Sequence, residues 1–88
     1  MGKRHEAELN KALGKAFKSA RIRACMSQKD IGELLGVKHT AVSRIERSGS
    51  YLPAWWLAKL DVSGFSIPSS AILAAGWKQL REEREGLR

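Results

Sequence analysis

Between Lys38 and Arg47 the chain carries His39, Thr40, Ser43 and Arg44, so that one short stretch holds hydroxyls, an imidazole and guanidinium forks. On a helix, at about 100° per residue, Thr40, Ser43, Arg44 and Arg47 fall on one side and Val42 and Ile45 on the other. The polar side can donate and accept hydrogen bonds, but nothing on it is arranged to make or break a covalent bond. His5 and His39 stand apart, with no Cys, Ser or carboxylate constellation around them, and no glycine-rich loop is spaced to cradle a phosphate. The expectation is a binding protein and not an enzyme. Two distant histidines and the single Cys25 give no metal-ligand cluster and no internal disulfide, so no metal or cofactor is expected.

Charge narrows the choice of partner. Lys and Arg number 16 against 9 Asp and Glu, a formal net charge of +7, which favours a polyanion: nucleic acid or an acidic membrane surface. The longest apolar run, Ala54 to Ala58, is far short of a membrane span, and the charged start from Met1 to Glu6 has no apolar run behind it. These features predict a cytoplasmic protein with no membrane partner. The exposed stacking aromatics of sheet-based RNA binders are missing, which argues against RNA. A polar, basic helix face on its own is most often merely solvated, so the elements that hold it must carry the argument.

The 88 residues close one core and leave no room for a second domain or a sensing module. From Glu6 to Ala24, the residues Leu9, Leu13, Ala16, Phe17, Ala20 and Ala24 make a helical stripe. Ser27 can cap a second helix over Gln28 to Leu35, with Asp30 completing a capping box and Met26 stapling against Ile31. Gly32 offers a spot without a side chain where helices can cross closely. Gly36 suits a turn needing positive φ, and Ile31, Val37, Val42 and Ile45 supply a shared core. Ser48-Gly49-Ser50 ends the third helix and Pro53 opens a fourth, with an inward stripe of Trp55, Ala58, Val62 and Phe65 and an early stop at Ser63-Gly64. Ser66-Ile67-Pro68 begins a fifth, with Ile72 and Leu73 inward, continuing through Trp77 and Leu80 into the charged residues 81–84. Gly76 weakens that continuation by up to ~1 kcal/mol. No segment alternates with period two, so an all-α, compact bundle of about five helices is predicted. Residues 1–8 read as a basic arm, 9–75 as the main domain with its central window at 28–47, and 76–88 as a charged helical extension.

The window from about Leu13 to Leu73 resembles the phage repressor and Cro (XRE-type) family of helix-turn-helix regulators. The residues that carry the likeness are Gln28, Gly32, Gly36, Val42, Ile45 and Glu46, followed by Pro53, Trp55, Phe65 and Ile67. Three positions depart from the pattern: Lys38 where a Ser or Thr cap is common, Cys25 where Gly is frequent, and Gly32 where Ala is usual. The resemblance implies a lambda repressor-like DNA-binding fold, with helix three in the major groove and helix two bridging to the backbone. Arg44 would then grip guanine O6 and N7, with Thr40, Ser43 and His39 as further base contacts. Gln28, Lys29, Lys38 and Arg47 would meet phosphates, joined by Lys3 and Arg4 from the arm. The family pattern also pairs Glu46 with an Arg on helix one, here Arg21, as a structural ion pair.

Trp56, Leu57 and Leu60 lie off the predicted stripe of helix four and call for a cover, either the fifth helix of the same chain or a second copy of it. With Leu73, Trp77, Leu80 and Leu87 they suggest a homodimer whose interface includes Trp56, Leu60, Trp77 and Leu80. The function expected is a small dimeric repressor binding an inverted-repeat operator in double-stranded DNA, bacterial or encoded by a phage or plasmid. The alternative is an antitoxin-like DNA-binding subunit whose main role is to hold a protein partner through Trp56, Trp77 and the C-terminal helix.

Overall fold

A computed structural model describes the backbone of residues 2–48 and 51–86 and the side chains of residues 8–47 and 51–82. Five helices follow one another: α1 (Gly2–Arg23), α2 (Gln28–Leu35), α3 (His39–Ser48), α4 (Ala54–Val62) and α5 (Ser69–Gly86). No strand occurs among the described residues. The core is continuous, from Ala16, Phe17 and Ala20 on α1 through Ile31, Leu35, Val42 and Ile45 to Leu52, Trp56, Leu57, Leu60 and Ile72.

α1 starts four residues before the expected Glu6, because nothing between Lys3 and Glu8 breaks a helix and Lys, Arg, Glu and Ala all favour one. The stretch expected to be a separate arm is therefore the first part of α1. The side chains of Lys3 and Arg4 lie outside the described residues, as does Leu87.

Three helices end in the same hydrogen-bonded turn, in which a left-handed residue lets the chain fold back on the last carbonyls. Val37 N–H donates to the Gly32 carbonyl after Gly36 (φ 77°), and Phe65 N–H to Leu60 after Gly64 (φ 79°). At the end of α1, Met26 N–H donates to Arg21, and the left-handed position is filled by Cys25 at φ 58°. Ser63 and Gly64 thus stop α4 at Val62, and Phe65 belongs to the following turn, where it packs on the core.

α4 is turned relative to the expected stripe. Trp56, Leu57 and Leu60 face the core, while Trp55 is 51 % and Val62 84 % exposed and Ala58 is also exposed. The helix offers an apolar stripe on either side, and packing chooses between them. Trp56 meets the Phe17 ring at 5.7 Å between centroids, and Trp55 lies edge-on to Trp56 on the outside at 6.2 Å. At the other end, Asp61 accepts from the Ser69 backbone N–H at 2.9 Å and from its hydroxyl, tying the end of α4 to the start of α5. Those two bonds hold the Asp61 carboxyl below its usual range.

α5 packs along α1. Its inward residues are Ile72, Gly76 and Leu80, four apart, whereas Leu73 faces outward. Gly76 decides this register: a Cβ there would come within 2.7 Å of the Leu13 side chain and 3.4 Å of the Leu13 Cα. A glycine that costs helix propensity thus brings two helices into contact. Residues 76–86 continue α5 without a break, so the expected extension is helical as far as Gly86.

Candidate nucleic-acid interface

The start of α2 is built from the expected parts. Ser27 Oγ accepts from Asp30 N–H at 3.0 Å, and the Asp30 carboxylate accepts from Ser27 N–H at 3.1 Å. These Ser27 bonds, with Lys29 nearby, hold the Asp30 carboxyl below its usual range. α2 then runs for two turns, burying Ile31, Gly32 and Leu35, and Gly36 turns the chain into α3.

α3 is seated by backbone contacts on two sides. A Cβ at Gly32 would stand 2.8 Å from the Val37 carbonyl oxygen and 3.5 Å from the His39 nitrogen, so only glycine lets α2 approach the turn this closely. This is the close approach that the sequence reading expected at Gly32. A second one was not read from the sequence: a Cβ at Gly14 of α1 would lie 2.6 Å from the Ile45 carbonyl oxygen and 3.9 Å from the Glu46 Cα. The only local hint was a glycine interrupting an otherwise good helical stripe. Lys38 precedes α3, and its carbonyl accepts from Ala41 and Val42 N–H groups, so the helix starts at His39 without a Ser or Thr cap.

With its backbone held in this way, α3 buries Val42 and Ile45 and turns His39, Thr40, Arg44 and Arg47 to the surface, with Ser43 half-buried beside them. Lys29 and Lys38 are exposed on the adjoining turns. Six of these seven side chains are thus exposed, on α3, just before it and at the start of α2.

Behind α3 lies the ion pair. Arg21 Nε donates to Glu46 Oε2 at 2.8 Å and Nη2 to Oε1 at 3.0 Å, a two-pronged contact, while Nη1 donates to the Met26 carbonyl at 2.8 Å. The Glu46 side chain is 2 % exposed. Gln28 Nε2 joins this group, donating to Glu46 Oε1 at 3.1 Å. Gln28, expected as a phosphate contact, is thus partly engaged within the fold. Sequence spacing could not reveal that bond, which spans 18 residues.

The residues expected at a dimer interface divide. Trp56, Leu60 and Leu80 are buried in the chain's own core and offer nothing to a second copy; Trp77 is 56 % exposed. The cover that Trp56 and Leu60 called for is supplied by the chain itself. A shallow groove lined by Ala74, Trp77, Lys78, Arg81 and Glu82 runs beside the exposed ring.

No family model matches the chain, and no curated protein or solved structure matches it. Among the described residues, no helix is long and apolar enough to cross a membrane.

Proposed function

We propose that the chain is a sequence-specific regulator that binds double-stranded DNA, with α2 and α3 as a helix-turn-helix of the phage repressor and Cro kind. The observation that carries this reading is the two-sidedness of α3. Val42 and Ile45 are sunk in the core, while His39, Thr40, Arg44 and Arg47 stand outward from a backbone gripped at Gly14 and Gly32. A helix held at a fixed angle with such a face can enter the major groove. Arg44 would read guanine, Thr40 the thymine methyl, and Ser43 and His39 neighbouring edges. Lys29, Lys38 and Arg47 would neutralise phosphates, each adding ~0.9 to the slope of log K against log salt. The net charge of +7 agrees with such a partner.

One short helix covers only a few base pairs. Two copies related by a twofold axis would read an inverted repeat with half-sites ~34 Å apart, as a repressor in the cytoplasm. The outer side of α5 around Leu73 and Trp77 is an exposed apolar surface that such a pairing could use.

Selection of bound sequences from a random duplex pool tests the proposal. The parent protein enriches a palindromic site, and Arg44→Ala weakens binding by ~1 to 3 kcal/mol and relaxes one base position. A pool without enrichment overturns it.

The exposed Trp77 also favours a second reading, an antitoxin-like subunit that holds a protein partner through α5. Trp56, buried against Phe17, has no part in that reading. Co-purification with a stoichiometric second protein, lost in Trp77→Lys, would select it.

A further inference from the structure

Gln28 stands at the first position of α2 with its side chain half-buried, and its one hydrogen bond runs to Glu46. A carboxylate offers only acceptors, so the amide must turn its nitrogen toward Glu46 and cannot flip without setting oxygen against oxygen. One proton of Nε2 is spent there. The second proton and the carbonyl oxygen are left over from that bond, and neither the nitrogen nor the oxygen is a buried atom without a partner. The orientation of the amide is thus fixed by Glu46.

Glu46 is itself immobile. It is almost fully buried, Arg21 holds both its oxygens, and Arg21 is in turn tethered to the Met26 carbonyl. A continuous chain of bonds therefore runs from the end of α1 through α3 to the first residue of α2. An ion pair kept only for stability needs no third member; this one spends an acceptor on a side chain at the edge of the proposed DNA surface.

We propose that Glu46 is a positioning residue for DNA contact, which holds the Gln28 amide so that its second N–H meets a backbone phosphate. This rests on the DNA reading above. A freely rotating glutamine would present its carbonyl oxygen to the phosphate about half of the time and lose side-chain freedom on binding; the anchored one does neither.

A double-mutant cycle on the selected duplex tests it, with affinity, salt slope and melting temperature read for each protein. In the parent background, Gln28→Ala lowers affinity about five- to tenfold on all sequences alike and reduces the salt slope by about one. In the Glu46→Gln background, where the partner amide can turn either way, the same change alters affinity less than twofold. Glu46→Asp, which keeps the charge facing Arg21 but withdraws the acceptor from Gln28, serves if Glu46→Gln does not fold, and gives the same loss of coupling. Equal effects of Gln28→Ala in both backgrounds, or coupling in melting temperature without coupling in affinity and salt slope, overturn the proposal while leaving the DNA reading intact. A parent protein that enriches no duplex overturns both.

Discussion

Cys25 occupies the left-handed position at the end of α1, where the two comparable turns in this molecule have glycine. A side chain with a Cβ is strained there by about 1 to 2 kcal/mol, partly offset by the greater freedom glycine has in the unfolded chain. Cys25→Gly is expected to raise stability by ~0.5 to 1 kcal/mol, a gain of a few degrees in melting temperature. Thermal unfolding followed by circular dichroism checks this, and a lower melting point would mean that the cysteine side chain makes contacts worth more than the strain. At this scale the sequence was legible wherever signals were local. Ser27 and Asp30 are three apart, Gly36 follows the last apolar residue of its helix, and each does what that spacing predicted. The bond from Gln28 to Glu46 was not legible, because the two become neighbours only once the helices have packed.

Between elements, glycines set the distances. Gly14→Ala would force a methyl to within 2.6 Å of the Ile45 carbonyl oxygen. The helices would have to part, at a cost of about 1 to 3 kcal/mol and roughly 5 to 20 °C in melting temperature. An unchanged melting curve would show that α1 and α3 can slide apart freely. The junction of α4 and α5 depends instead on a carboxylate. Asp61 is bonded to Ser69 when ionised and its pKa is lowered by folding, so its contribution is complete above the unfolded value of about 3.8 and is lost as pH falls through the lower folded value. Asp61→Asn should therefore be less stable than the parent near neutral pH, with the gap closing as pH falls below that value; a gap independent of pH would exclude a charge-based role. Element facings were the least legible feature. Trp55, Trp56 and Leu57 give α4 two plausible inward sides, and Gly76 read as a weak point because helix propensity is visible in one chain segment while its seat on Leu13 is not.

For the molecule as a whole, the all-α architecture was legible because apolar residues recur every three or four positions and never alternate. The apolar surplus on α4 left two covers open, the chain's own fifth helix or a second copy, and the chain's own core takes up Trp56, Leu57 and Leu60. What remains outside on α5 is Leu73 and Trp77. Trp77→Lys is accordingly expected to convert a dimer to a monomer in sedimentation while leaving the melting temperature within a few degrees. A parent protein that sediments as a monomer both free and on its selected duplex would end the dimer proposal.

α3 is gripped through its main chain at Gly14 and Gly32 and through the two inward side chains Val42 and Ile45. None of these looks outward. It follows that the mount and the outward residues are separable: other polar residues could be exchanged for His39, Thr40 and Arg47 while α3 keeps its tilt, so under the proposed DNA reading a changed target is within reach of very few substitutions.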